Sequence, residues 1–126
     1  MFFLDKRIDH ERNLKLQCKF KFILCPEGNG IDTHRLWEGL ILGNIPIIKS
    51  NPLNNLYKDL PVIIIKSWKN LDRKKLNSFS KSFANRKYNY EKLLFSYWKS
   101  MIEEKIPIKK SLKNYETFKK YITKGL

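Results

Sequence analysis

The fold is decided by the stretch LCPEGNGIDTHRLWEGLILGNIPII, residues 24–48. It begins at the end of an apolar run and enters a loop that contains two glycines. A helical pattern of apolar residues follows, which Asp32 or Thr33 can cap and which Gly43 can end. A second apolar run, residues 45–48, completes the stretch. The pattern therefore predicts a strand, a glycine-containing loop, a helix and a second strand in direct succession.

Two further apolar runs extend this unit on either side. Residues 20–25, FKFILC, predict a buried strand, and residues 61–65, PVIII, predict another. A short helical or irregular crossover is expected at residues 53–58. Strands that lack alternation and are separated by crossovers favour a parallel sheet covered on both faces. The expected class is α/β, with a short parallel Rossmann-like sheet flanked by helices.

A helical region is predicted after Trp68. Apolar residues recur there at helical spacing in two groups, and a lysine-rich tail at residues 112–122 has the pattern of a last helix. Pro107 is expected to end the second of these helices. We therefore expect one domain over residues 1–126, with its core at residues 20–68 and C-terminal helices at residues 70–126. The two amphipathic groups are Leu76, Phe79 and Phe83, then Leu94, Trp98, Met101 and Ile102.

Composition limits the classes of function. Apolar residues make up 42% of the 126 residues, enough to support a folded core, and the net charge of +14 attracts anions. The lysines are spread between apolar positions, which favours a solvated basic face without a specific nucleic-acid partner. Cys18 and Cys25 are too few for a disulfide framework, so free thiols are expected. The apolar run at residues 1–4 is too short for a signal peptide or a membrane span, so we expect a cytoplasmic protein without a transmembrane segment.

The loop and helix of residues 25–38 have the layout of an anion site. In open α/β sheets the ligand lies beyond the carboxyl ends of the strands, where a glycine-containing loop leads into a helix N-terminus. Gly28 and Gly30 are expected to supply positive-φ turns that bring the backbone close to a ligand. Arg35 adds a charged donor in the first turn, and Glu38 can accept hydrogen bonds from ribose hydroxyls.

The same residues resemble a known family. Residues 24–48, followed by LYKDLPVIIIKSW at residues 56–68, are similar to the donor-binding region of exostosin-like and related GT-B glycosyltransferases. The resemblance covers residues 20–68. By position it implies that Glu38 binds the ribose and Arg35 the phosphates, with Gly28, Asn29 and Gly30 beside the diphosphate. Glu27 would meet the sugar, and His34 joins the substrate-binding candidates. Family members usually have Ala at the position of Gly39.

The resemblance implies a nucleotide-sugar-dependent transfer to an acceptor, a glycan or a protein. GT-B enzymes place an acceptor-binding domain before the donor half, and only about twenty residues precede the first predicted strand here. We therefore expect a truncated gene product, one half of a split enzyme whose acceptor-binding half is a separate domain or chain, or a domain that has kept the fold and lost turnover; in each case the chain alone is expected to be inactive. The resemblance requires no cofactor and no metal, since the helix dipole and the Arg stabilise the leaving diphosphate. No residue is assigned as the catalytic base.

Alternative interpretations remain open at this point. Arg35 and Glu38 can pair with each other as a surface ion pair. His34 and Glu38 can share a metal, although a hydrogen-bonded histidine is the favoured interpretation. Asp32 is interpreted as a helix cap rather than a catalyst, and Cys25 as an apolar filler. The three tryptophans are expected in the core, and the alternative function is a non-enzymatic basic module for nucleic acid or another polyanion.

Overall fold

The computed structural model describes residues 8–105, which fall into two compact units, residues 8–93 and residues 94–105. The first unit contains a three-stranded parallel sheet and three α-helices, and the second contains a fourth helix. The α/β class is thereby confirmed. The elements are α1 His10–Gln17, β1 Phe22–Leu24, α2 His34–Ile41, β2 Ile45–Lys49, β3 Ile63–Ile65, α3 Arg73–Ala84 and α4 Phe95–Lys105. Short 3-10 turns cover Asn54–Tyr57, Trp68–Asn70 and Tyr90–Leu93.

The sheet has the order β1-β2-β3 with every pair parallel. In register, Ile23 pairs with Pro46, and Ile48 pairs with Ile64. Both crossovers step in the same direction across the sheet, so right-handed connections place both on the same face. The packing agrees, because side chains of α2 and of the 3-10 turn Asn54–Tyr57 share one apolar cluster.

Each face of the sheet has its own core. On the first face, Ile23 and Ile48 pack with Leu36 and Leu40 of α2 and with Tyr57. The second face carries β2 and β3 isoleucines, covered by Trp68 and by Leu76, Phe79 and Phe83 of α3. Successive side chains of a strand point to opposite faces of the sheet. Where both faces are covered, successive residues of the strand are therefore apolar, and the sequence shows an unbroken apolar run. The isoleucines of the second face are Ile45, Ile47, Ile63 and Ile65.

The end of α2 is fixed by its backbone. Gly43 has a φ of +80°, its N–H donates to the Leu40 carbonyl at 3.1 Å, and the Asn44 N–H donates to the Gly39 carbonyl at 2.8 Å. These two bonds form the Schellman arrangement, in which a glycine after the helix adopts the left-handed conformation. The helix therefore turns directly into β2, as the position of Gly43 predicts.

The predicted strands and helices occur where the patterns placed them; β1 and β3 are shorter than predicted, whereas β2 extends to Lys49. Helix α1 was not predicted, because only Gln17 of its eight residues is buried and its apolar face is weak. Trp37 packs against the apolar cluster of the first face and Trp68 against that of the second, and both are partly exposed. Trp98 is half-buried. The predictions for Pro107 and for residues 112–122 lie outside the described residues. Within residues 8–105, no helix has both the length and the hydropathy needed to cross a membrane.

Candidate functional site

The predicted site residues lie at the carboxyl edge of the sheet. Strand β1 ends at Leu24, residues 26–32 form an exposed loop, and α2 begins at His34. The loop candidates Glu27, Gly28, Asn29 and Gly30 are all exposed. His34 and Arg35 occupy the first turn of α2 and are exposed, whereas Glu38 lies one turn further along and is partly buried. The fold thus brings loop and helix start to one edge.

The glycines of the loop do not have the predicted conformation. Within residues 8–105 a positive φ occurs at Gly43 and Asp59, so neither Gly28 nor Gly30 supplies one. A Cβ at Gly28 would meet no atom within 4 Å, and one at Gly30 would lie 3.6 Å from the Asp32 carbonyl oxygen. The prediction of positive-φ turns was wrong here. Gly28 and Gly30 leave the loop without side chains at these positions and therefore open to solvent; neither is needed for a backbone conformation that other residues avoid.

The first turn of α2 has no side-chain cap. Thr33 occupies the N-cap position in an extended conformation, φ −130° and ψ 142°, and its side chain makes no capping hydrogen bond. The first turn carries no acidic residue. The Leu36 N–H donates to the Thr33 carbonyl at 3.1 Å, so the N–H groups of His34 and Arg35 are the ones that lack an acceptor among the described residues. Such N–H groups at a helix start hold partial positive charge. This turn can therefore accept an anion from outside the chain.

Asp32 does not cap α2, contrary to the sequence prediction. Its carboxylate accepts from the indole Nε1 of Trp37, 2.9 Å from each oxygen, and from the hydroxyl of Tyr57 at 3.0 Å. The ring centroids of Trp37 and Tyr57 are 6.0 Å apart. Two fixed donors from α2 and from the 3-10 turn before β3 outcompete a cap, because both are held by core packing. Asp32 thus anchors the loop to the first face of the sheet.

Arg35 lies beside the end of β1. Burial raises the pKa of the Cys25 thiol from 9.0 to about 12, and the nearby Arg35 guanidinium opposes that rise. Cys25 is almost fully buried and remains a neutral thiol, which agrees with its interpretation as an apolar filler. Burial also raises the pKa of Tyr57, with its hydrogen bond to Asp32 adding to the effect. Arg35 forms no ion pair among the described residues, and the same edge carries the negative charges of Asp32, whose partners are neutral donors, and of Glu27.

Glu38 pairs with α1 instead of with Arg35. In the described part of the chain its Oε1 lies 3.7 Å from Nε2 of His10, and no ion pair joins it to Arg35. The two side chains are 30% and 68% exposed, so the contact is open to water. The alternative of a surface ion pair between Arg35 and Glu38 is not what the structure shows.

No protein-family model matches the sequence, and no curated protein matches it. The site is consequently interpreted from its own geometry. Nothing in residues 8–105 places three His, Cys, Asp or Glu side chains where they could hold one metal ion. The chemistry that this edge offers is anion binding by free N–H groups and a guanidinium.

One residue at this edge, Tyr57, was not predicted as part of the site. Tyr57 is buried, yet its hydroxyl reaches Asp32, which lies 25 positions earlier in the chain. The sequence signal that could have indicated it is a tyrosine near the end of the crossover predicted at residues 53–58. A buried tyrosine hydroxyl usually has a hydrogen-bond partner.

Proposed function

We propose that the carboxyl edge of the sheet binds the diphosphate of a nucleotide-sugar donor, with the first turn of α2 as the phosphate site. One observation carries the proposal: this helix start has no capping side chain and no acidic residue, and it displays an exposed Arg35. Free N–H groups and a helix dipole favour phosphate, and a guanidinium can bind it through two parallel hydrogen bonds.

The α3 helix provides the contrast that makes this feature informative. Its N-cap residue Asp72 accepts from the Lys75 N–H at 2.7 Å, and Arg73, the first residue of the helix, is likewise a first-turn cation. A carboxylate already occupies the helix start there, so an external anion gains less. The first turn of α2 has no such carboxylate, because Asp32 is bonded to Trp37 and Tyr57.

Glu38 is proposed as the ribose-binding residue. It lies about 5 Å along the helix from Arg35, from a rise of about 1.5 Å per residue, which suits a sugar attached to a bound phosphate. Its contact with His10 is long and solvent-exposed, so a ribose hydroxyl can replace it at little cost. Glu27, Asn29 and His34 are exposed around this position and are proposed to contact the rest of the donor.

The resemblance to exostosin-like GT-B enzymes supports a role in sugar transfer, and we extend the proposal to it. The loop at this edge is open to solvent, and transfer needs an acceptor positioned against the donor with water excluded. We propose that a separate domain or chain supplies the acceptor surface, for a glycan or a protein, in the cytoplasm. The described chain alone is then a donor-binding half without turnover.

The test is calorimetric titration with UDP and GDP and with the corresponding nucleosides. Arg35→Ala should weaken the diphosphates about tenfold to a hundredfold, the range for a lost charge-assisted hydrogen bond, and leave the nucleosides unchanged. Arg35→Lys should recover part of the loss, because charge survives while the fork geometry does not. Arg73→Ala is the matched control, since it removes a first-turn arginine from a capped helix and should have no effect.

A second comparison addresses Glu38. Glu38→Gln should weaken ribonucleotides more than 2′-deoxyribonucleotides, because the deoxy ligand lacks one hydroxyl partner of the carboxylate. If Arg35→Ala and Arg73→Ala change the affinity for UDP and GDP equally, the phosphate site is not at α2 and the proposal fails.

The alternative function, a basic module for polyanions, has one observation in its favour. Residues 66–87 contain a single acidic residue, Asp72, among many cations. These cations are Lys66, Lys69, Arg73, Lys74, Lys75, Lys81, Arg86 and Lys87. Titration with single-stranded DNA at two salt concentrations separates the functions, since binding by charge alone weakens steeply with salt. Sequence-selective binding that persists at physiological salt would favour the alternative.

A further inference from the structure

Helix α1 contributes little to the core, yet it is held against α2 at both of its ends. Of its eight residues only Gln17 is buried. At the end of α1 the carbonyl oxygens of Gln17 and Phe20 accept from the side-chain amide of Asn44, which follows α2. At the start of α1 the imidazole of His10 lies beside Glu38 of α2. The two helices therefore run in the same direction, and both begin toward the carboxyl edge of the sheet.

The position of His10 is fixed by the first turn of α1. His10 is the first residue of the helix, and the N-cap residue Asp9 accepts from the Arg12 N–H at 2.9 Å. The carboxylate of Glu11, in the same turn, pairs with Lys15. This helix start is capped by its own carboxylate, so it does not offer a second anion site. What α1 adds to the carboxyl edge is the imidazole of His10.

The side chains of His10 and Glu38 are complementary but do not satisfy each other. Nε2 of His10 and Oε1 of Glu38 are 3.7 Å apart, beyond the about 2.7–3.2 Å of an N–H···O hydrogen bond. In the described part of the chain neither side chain has another hydrogen-bond partner. The side chains are 68% and 30% exposed, so a ligand can reach both. The carboxylate is an acceptor, and its charge favours the imidazole tautomer that carries a proton on Nε2.

A hydroxyl group matches this gap between a donor and an acceptor. Its oxygen can donate to Oε1 and accept from the Nε2–H at once. Two bonds of about 2.8 Å to atoms 3.7 Å apart meet at about 80°, and an outward shift of the exposed imidazole by about 1 Å opens that angle to the tetrahedral value. An ammonium has no acceptor for the Nε2–H, and a phosphate oxygen is repelled by the carboxylate. The pair therefore favours a hydroxyl over charged groups.

We propose that His10 and Glu38 together bind a ribose hydroxyl of the nucleotide, which makes His10 a specificity-determining residue of the donor site. This inference rests on the proposed donor site, and it adds a residue from outside residues 20–68, the segment that carries the family resemblance. A diphosphate bound at Arg35 holds its ribose close to the pair, since Glu38 lies about 5 Å further along α2 at about 1.5 Å per residue. That tether gives the ribose hydroxyl an advantage over water.

The experiment is calorimetric titration of the full chain with UDP, 2′-deoxy-UDP, 3′-deoxy-UDP and pyrophosphate. His10→Ala should weaken UDP about fivefold to tenfold, the loss expected for one hydrogen bond. His10→Gln should recover most of that loss, because its amide keeps an N–H donor. Pyrophosphate has no ribose, so its affinity should be the same in all variants. For the deoxy ligand that binds the parent less tightly than UDP, His10→Ala should change the affinity less than about twofold.

Two controls separate a ligand contact from damage to α1. Lys15→Ala removes another exposed side chain of α1, in its last turn, and should bind UDP as the parent does. The imidazole NMR resonances of His10 should shift with UDP and much less with pyrophosphate. The chain has two histidines, so the spectrum of His10→Ala assigns them.

The outcomes distinguish this inference from the donor site on which it rests. Equal UDP affinities for the parent and His10→Ala, together with a loss in Arg35→Ala, would overturn the role of His10 and leave the donor site standing. A loss in His10→Ala that is equal for UDP and both deoxy ligands would show that His10 does not read a hydroxyl. An equal loss in Lys15→Ala would show a general effect of α1. If Arg35→Ala leaves UDP binding unchanged, or if the parent does not bind UDP, the donor site and this inference fail together.

Discussion

Gly39 and Ile23 are expected to be a complementary pair in the core. A Cβ added at Gly39 would lie 2.0 Å from Ile23 Cδ1 and 3.2 Å from its Cγ1. Carbon atoms normally approach to about 3.5–4.0 Å, so the Ile23 methyl would have to move about 1.5 Å inside a packed cluster. Gly39 therefore lets the helix α2 lie against β1 with an isoleucine between them.

The expected energies follow from that geometry. Gly39→Ala gains about 1 kcal/mol of helix propensity and loses about 1–3 kcal/mol to overpacking, for a net destabilisation of about 1 kcal/mol. Ile23→Val removes the clashing methyl and alone costs about 1 kcal/mol. In the double variant the alanine fills the vacated space and keeps its helix propensity. The double variant should thus match the parent, which corresponds to a coupling of about 2 kcal/mol between the two sites.

The assay is urea unfolding of the four proteins, followed by tryptophan fluorescence, with the free energy of unfolding taken by linear extrapolation. Gly28→Ala is the control, because its added Cβ meets nothing within 4 Å, and it should change stability by less than about 0.5 kcal/mol. If the two substitutions are additive within about 0.5 kcal/mol, the proposed steric complementarity between Gly39 and Ile23 is refuted.

Two further predictions concern the end of α2 and the buried thiol. Gly43→Ala should lower the free energy of unfolding by about 1 kcal/mol, because a φ of +80° is strained for alanine. Gly43→Asn should cost less, because asparagine tolerates the left-handed region better. Equal urea midpoints for the parent and both variants would contradict this. The raised pKa of Cys25 means that the unfolded thiol ionises above pH 9.0 while the folded thiol stays protonated to about 12. Its contribution to stability is complete below pH 9.0 and is lost as the pH rises toward 12, by about 1.4 kcal/mol at pH 10. Urea unfolding from pH 7 to pH 10 should show a smaller loss for Cys25→Ala, and an identical pH dependence of the two proteins would count against a buried neutral thiol.

Local patterns predicted the elements of the first unit well because they record burial and helix geometry. The apolar runs at residues 45–48 and 61–65 correspond to β2 and β3. Residues 45–48 are buried on both faces, which is why they are apolar at successive positions, whereas Ile64 of β3 is 40% exposed. Gly43 ends its helix because the residue after the helix adopts the left-handed conformation, which glycine adopts without steric cost. Each of these features depends on a few neighbouring residues.

The polar contacts depended on distant residues and were not predicted. Asp32 was interpreted from its position before a helix, where a cap is a short-range contact, yet one of its partners lies 25 residues later. Asn44 directly precedes β2, and its side-chain amide links that strand to the end of α1 through the carbonyls of Gln17 and Phe20. His10 and Glu38 meet across two helices, and no single pattern along the chain marks that contact.

The anchoring of Asp32 has a consequence for the donor site that is independent of the ligand's identity. A carboxylate held by Trp37 and Tyr57 cannot also satisfy the first N–H groups of α2, and Thr33 does not satisfy them with its side chain. Among the described residues the N–H groups of His34 and Arg35 have no acceptor, while the Leu36 N–H donates to the Thr33 carbonyl at 3.1 Å; in α3 the Asp72 carboxylate accepts from the Lys75 N–H. The start of α2 therefore lacks the stabilisation that a capping side chain would give. An anion bound there would stabilise the helix in place of the cap. Binding and folding are linked through this turn, since a ligand that binds only the folded state stabilises it by about 2.7 kcal/mol at a hundred times its dissociation constant.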